Sequence, residues 1–252
     1  MDFKVVLLLV FSSSCIQVGE SQTRGKTIII PLPKDASGAD VYPDCDKGKV
    51  CLPEPGPCSR RQSKVGALPF QNKTYWFSWQ SNERVLREGR WNWFTARNYC
   101  RRMCMDLVSF ENEGEWNLVK DFMKGAGVKD IWTAGRLCDA EVTGCDAPHY
   151  QPLNINGWFW ASTLVKMLPT NRPVDGVSVK GVNEWAKFGD KGLPQPDGFT
   201  PPGGLGEEPC MAVIDGAWHD SNCQFRRQVV CEDLPDNNIQ FVRNNNPGIN
   251  IP

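Results

Sequence analysis

Apolar positions are unevenly spread along the chain. They open with the run Val5 to Phe11, which follows the lone basic residue Lys4 and precedes Ser12-Ser13-Ser14. From about 22 to 70 the chain is rich in Pro, Gly, Lys and Arg. Within it, Cys51-Leu52-Pro53-Glu54-Pro55-Gly56-Pro57-Cys58 argues against regular structure and predicts a stapled irregular segment or a short hairpin. From Tyr75 to about Asp233 the texture changes to dense aromatics with clear periodicity. Residues 234–252 are Asn- and Pro-rich, with little apolar content, and read as a flexible tail.

The periodic stretch predicts specific elements. Tyr75-Trp76-Phe77-Ser78-Trp79 has the composition of a strand. Asn92 is placed to N-cap a helix from Trp93 through Met103, with Phe94, Ala96, Tyr99, Cys100 and Met103 supplying a buried face. A second helix has Asn112 as its cap, Glu115 at the capping-box position and the stripe Trp116, Val119 and Phe122, with Gly125 as its stop. Short apolar runs follow at Ile131-Trp132-Thr133, Trp158-Phe159-Trp160, Met211 to Ile214 and Gln228 to Cys231. Between Pro169 and Pro209 lies a long stretch dominated by Gly, Pro and Asp. Two early helices, short later strands and one long loop region predict an α+β domain whose loops carry function.

Charge and cysteine content narrow the class. Lys and Arg total 28 against 29 Asp and Glu, which argues against a nucleic-acid binder. The seven-residue apolar run Val5–Phe11 is too short to span a bilayer, which takes about 20 residues. With its flanks it reads as a signal peptide over residues 1–21, cleaved near Gly19 to Ser21. The protein is then expected to be secreted, with no membrane span. Eleven cysteines fit an oxidising compartment, and loss of Cys15 with the signal leaves an even ten. The sequon Asn72-Lys73-Thr74 becomes a glycosylation site in that compartment. Enzyme templates fail: there is no Gly-x-Ser-x-Gly elbow, phosphate-cradling loop or His-Glu-x-x-His, and His149 and His219 are far apart. No enzymatic activity is expected.

The long loop region holds the chemistry. It contains Gln195-Pro196-Asp197, then Glu208 before Pro209-Cys210, then Trp218-His219-Asp220 and Cys223. An amide oxygen and three carboxylates converging on one spot suit Ca²⁺, a hard cation that takes oxygen ligands in flexible geometry.

Those residues, with Asn92-Trp93, Ala96 to Cys100, Asp106 to Phe110, Ile131 to Gly135, Trp158 to Trp160, Trp185 and Val230-Cys231-Glu232, resemble the C-type lectin-like domains over roughly Phe70 to Asp233. The resemblance implies a disulfide-stapled α+β fold of two helices, short antiparallel strands and a long loop region. It implies the pairs Cys100–Cys231 and Cys210–Cys223. With the readings above, the chain divides into the signal peptide 1–21, a Cys-, Pro- and Gly-rich segment 22–70, the domain 71–233 and the tail 234–252. Among the remaining cysteines, Cys138–Cys145 is expected to close a local loop, and Cys104 to tie down the segment holding Cys45, Cys51 and Cys58.

The resemblance also implies a calcium-dependent sugar site. Gln195, Asp197, Glu208, Asp220 and the residue at His219 would be its metal ligands. Gln195, Asp197, Glu208 and Asp220 would also meet the sugar, with Phe199 stacking on it. Gln-Pro-Asp is similar to the galactose-binding version of the motif. The departure is His219, where the family has an Asn amide oxygen; imidazole nitrogen is a poor partner for Ca²⁺. A second departure is the insertion from Asn171 to Asn183. The expected partners are therefore galactose-like glycans. The other reading is a calcium-independent module that binds extracellular proteins.

Overall fold

The computed structural model describes residues 53–138, 144–171, 183–189, 192–198, 207–234 and 236–252. The signal peptide, Cys45, Cys51, Phe199 and most of the insertion lie outside them. All described residues fall in one contact unit, Leu32–Pro252.

The helices are α1 (Pro55–Arg60), α2 (Arg84–Arg87), α3 (Trp93–Arg102), α4 (Glu113–Ala126), α5 (Leu153–Asn156) and α6 (Asp236–Asn245). The strands are β1 (Ala67–Phe70), β2 (Lys73–Phe77), β3 (Met105–Leu107), β4 (Asp130–Leu137), β5 (Trp158–Trp160), β6 (Val165–Lys166), β7 (Cys210–Ile214), β8 (Ala217–Ser221) and β9 (Gln228–Asp233). They form a single sheet in the order β1-β2-β9-β4-β5-β6. β3 joins at β9, and the β7–β8 hairpin joins at β4. β9 is the hinge of this arrangement. Its first residues run parallel to β4, and its last ones pair antiparallel with β2 and β3.

The two principal helices start where their caps predict. Asn92 Oδ1 accepts from Thr95 N at 2.8 Å, and Asn112 Oδ1 accepts from Glu115 N at 3.1 Å. The return bond of the second cap differs from a capping box. Glu115 Oε2 accepts from the N–H of Glu111, one residue before the cap, at 2.9 Å. Helix α4 runs through Gly125 and ends at Gly127, whose φ of 65° supplies the left-handed turn that closes a helix. β2 stops at Phe77, earlier than Trp79, because Ser78 turns into the core. There its hydroxyl bonds the Gln228 side chain and accepts from Val229 N at 3.0 Å.

Four bridges are formed among the described cysteines: Cys58–Cys104, Cys100–Cys231, Cys138–Cys145 and Cys210–Cys223. The disulfide-stapled α+β arrangement expected from the resemblance is therefore present, with both pairs it implied. Cys100–Cys231 ties α3 to β9 across 131 residues, a constraint on the unfolded chain of about 4–5 kcal/mol.

Two expectations are overturned at the edges of the domain. The Pro-rich segment ahead of Cys58 is helical, because Pro55 falls at the first helical position. There its fixed φ suits the helix and its missing N–H would have had no partner. The residues after 234 are no tail: α6 and the chain beyond it bury Ile239, Val242 and Ile251 against Leu234 and the Cys58–Cys104 bridge. This satellite core extends the folded body beyond 71–233 on both sides. β1 pairs directly with β2, so no boundary falls at 70/71.

The main core is aromatic. Phe110 stacks on Trp218 at 5.9 Å between ring centroids and meets Trp116 and Trp160 edge-on. Trp185 packs edge-on against both Trp158 and Trp218. Aromatic pairs of this kind add about 0.5–1.5 kcal/mol each beyond their area burial. Their consequence here is positional, because Trp218 lies on the strand that carries Asp220.

Candidate functional site

β8 sets the base of the site. Its residues Ala217 to Ser221 pair antiparallel with β7, Ala212 opposite His219 and Met211 opposite Asp220. Alternation along a strand puts Trp218 and Asp220 on one face and His219 on the other. Both Trp218 and Asp220 are buried.

The long loop is fastened to this strand by backbone bonds. Trp218 N donates to Glu184 O at 2.8 Å, and Ala186 N donates to Trp218 O at 2.9 Å. From there the chain doubles back: Gln195 N donates to Ala186 O at 2.9 Å and Gly189 N to Leu193 O at 2.6 Å. Gly189 lies flat against the site, where any side chain would run into the Gln195 amide and the Asp197 carboxylate. The Gln195–Pro196 peptide is cis. The Cys210–Cys223 bridge and the bond from Leu137 N to Pro209 O, 2.8 Å, fix the chain on either side of Glu208 and Asp220.

This scaffold brings Asp197, Glu208 and Asp220 together, with one carboxylate oxygen from each within 4.8 Å of the others. Asp220 is the buried member; Asp197 and Glu208 are half-buried. The carboxylates are oriented by amide donors. Asp220 Oδ2 accepts from Gly198 N at 2.7 Å and its Oδ1 from Asp197 N at 3.2 Å. Asp197 Oδ2 accepts from Gln195 Nε2 at 2.7 Å. That bond leaves the Gln195 Oε1 as the acceptor end of a buried amide. Burial pushes the Asp220 carboxyl up to about 6. The N–H groups of Gly198 and Asp197 pull it down, and the Asp197 charge adds to the rise.

Four of the sequence-predicted residues thus converge: Gln195, Asp197, Glu208 and Asp220. His219 is not part of the carboxylate cluster. Asn72 sits away from it, exposed in the turn between β1 and β2. Two contributors carry no sequence signal of their own. Gly198 donates through its backbone, and the Asn222 side chain reaches Glu207 O at 3.4 Å, next to Glu208.

The donor set fits a hard divalent cation. All three side-chain charges are carboxylates, and among the described residues no histidine or cysteine joins them. Among the described residues no helix is long and apolar enough to cross a membrane.

No family model and no curated protein matches the chain. Several solved structures are similar to it. A mouse scavenger receptor C-type lectin carbohydrate-recognition domain shares 20% identity over 67% of this chain and 95% of its own, with a TM-score of 0.43. Human lithostathine shares 17% over 68% and 89%, with a TM-score of 0.40. The cow CD23 carbohydrate-recognition domain, solved in the presence of a GlcNAc2Man3 oligosaccharide, shares 22% over 68% and 94%, with a TM-score of 0.41.

Proposed function

We propose that the chain is a secreted C-type lectin-like recognition protein that binds galactose-like carbohydrates through a calcium ion held by Asp197, Glu208, Asp220 and the Gln195 amide oxygen. The observation that carries this reading is the convergence of those three carboxylates from separate loop and strand segments onto one spot beside a buried amide. The ion would supply a positive centre to which sugar hydroxyl oxygens bind.

The protein's own groups do the rest. Carboxylate oxygens of Asp197 and Glu208 accept sugar O–H donors, and the Gln195 amide donates to a hydroxyl oxygen. Acid and amide then stand in the order Gln-Pro-Asp. This order fixes which hydroxyl meets a donor and which meets an acceptor, and so selects the configuration of the sugar's hydroxyl pair. Removing a hydroxyl leaves one of these groups unpaired, which makes such sites selective.

Calorimetric titration of calcium tests the first half of the proposal. A Kd in the range of about 0.1–1 mM, typical of extracellular modules, is expected. No heat at millimolar calcium would defeat it. A specific observation favours a second reading: the position where the resemblance implies an amide ligand is His219, and it lies outside the cluster. A calcium-independent, protein-binding module is the reading that remains if calcium does not bind.

A further inference from the structure

The last turns of α4 border a cavity of about 430 Å³ lined by Met123 and Val128 together with Lys120, Lys124 and Lys129. The other wall is the turn between β7 and β8, where Asp215 and Gly216 line it. Asp215 N donates to Lys129 O at 2.8 Å, which fastens that turn to the chain leaving the helix. The helix end is closed as well: Gly127 N donates to Lys124 O at 3.2 Å and Val128 N to Met123 O at 2.9 Å. Two of the last carbonyls are thereby occupied, which weakens the negative end that a helix turns toward a ligand.

The three ammonium groups are uncompensated. Lys120 lies over the Trp116 ring at 5.3 Å, and among the described residues none of the three forms an ion pair. Asp130, next to Lys129, is taken by Arg90 and Arg227. Asp215 is the one carboxylate on the cavity wall, so three positive charges face one negative. Elsewhere the chain matches its cations, Arg61 with Asp233 and both Arg97 and Arg101 with Asp106. Like charges gathered around one cavity repel, and an anionic occupant relieves them.

Charge alone would suit any polyanion, and the apolar lining is what narrows the choice. Met123 is an adaptable thioether, and Val128 beside it is half-buried. An apolar anchor in a pocket, with opposite charges around it, is how a protein segment is held and its sign selected. We propose that this cavity docks an acidic segment of a partner protein, one that carries a single apolar side chain between carboxylates. The apolar side chain packs on Met123 and Val128, and the flanking carboxylates meet Lys120, Lys124 and Lys129. The loop cluster plays no part in this, and the inference stands whether or not calcium binds.

The test titrates the full chain, in EDTA, with the capped peptide Asp-Glu-Phe-Glu-Asp and follows backbone amide shifts by NMR. Shifts should concentrate at Met123 to Lys129, Asp215 and Gly216. The amide version Asn-Gln-Phe-Gln-Asn and the version with Gly in place of Phe should each bind more weakly. K124Q/K129Q should weaken the acidic peptide by about tenfold, the loss of two exposed charge pairs. Its Tm should match wild type, since both side chains are exposed. D215N should tighten binding by removing the one repelling carboxylate. The inference is overturned by an absence of shifts at these amides, or by equal binding of the amide or Gly peptides. A heparin oligosaccharide or anionic vesicles that bind the same amides more tightly than the peptide would also overturn it, because the surface would then read charge alone.

Discussion

Among the described residues two places gather three carboxylates, and they are held in different ways. Glu111, Glu115 and Glu232 surround the ammonium of Lys73, at 3.1, 2.9 and 3.3 Å. In the second set, which also holds Glu208, Asp197 and Asp220 are instead oriented by neutral amide donors from Gly198, Asp197 and Gln195. The first set comes from regular elements and the turns that enter them, and further bonds lock it. Tyr75 donates to Glu115 Oε1 at 2.9 Å, and Ser109 N and Oγ donate to Glu232. The second set comes from Gly- and Pro-rich loops hung on one strand. A cluster that supplies its own cation holds the fold together. On the reading proposed above, the loop cluster takes its cation from outside.

Breaking the first cluster should have the largest effect. K73M removes the cation and leaves buried carboxylates facing one another, a loss of about 3 kcal/mol by analogy with other broken buried pairs, read by urea unfolding. The loss should grow with pH, because Lys73 is what holds the Glu232 carboxyl down. Breaking the second cluster should leave the calcium-free fold almost untouched. In D220N the new side chain keeps one oxygen to accept from Gly198 N and gives up only the longer bond from Asp197 N. What should vanish is the stabilisation by added calcium, about 2.7 kcal/mol at a hundredfold excess over Kd. Calcium-dependent thermal shifts of wild type and D220N distinguish the two.

The clusters should also differ in how they respond to protons. Burial pushes Glu232 up to about 8, and Lys73 and Ser109 pull it back only in part. A carboxyl raised in the folded state contributes stability that is full below its unfolded value near 4.5 and is lost as pH rises through about 8. Stability should therefore decline across that window with a slope of up to about 1.4 kcal/mol per pH unit. E232Q should flatten the slope. The smallest effect expected is that of N112A, which removes the cap of the helix carrying Glu115. It should cost about 1 kcal/mol without changing calcium response or pH slope.

The two clusters were not equally legible in the sequence. Gln195, Asp197, Glu208 and Asp220 stand in a Gly- and Pro-rich stretch where carboxylates near cysteines form a visible pattern. Lys73, Glu115 and Glu232 are scattered over three distant elements: the sheet register sets β2 beside β9, and Glu115 arrives from helix α4. The helices over 93–102 and 113–126 could be read because a polar cap and an apolar stripe are both local signals. The C-terminal helix could not. Ile239, Phe241 and Val242 are too few in an otherwise polar stretch to mark a stripe, and the burial of Ile239 and Val242 depends on a surface made by the distant Cys58–Cys104 bridge. Helix α1 was misread for a related reason: a run of prolines argues against a helix interior but is tolerated at its first turn. The strand carrying His219 was missed although Asp215-Gly216, the two residues between β7 and β8, are a hairpin-turn pair, because its own residues Ala217 to Ser221 are mostly polar.

Retention on galactose-agarose in calcium, compared with EDTA, tests the central claim most directly. The protein should be retained in calcium, released by EDTA and, as D220N, not retained at all. Passage straight through the column in both conditions, or retention that survives EDTA, would contradict it.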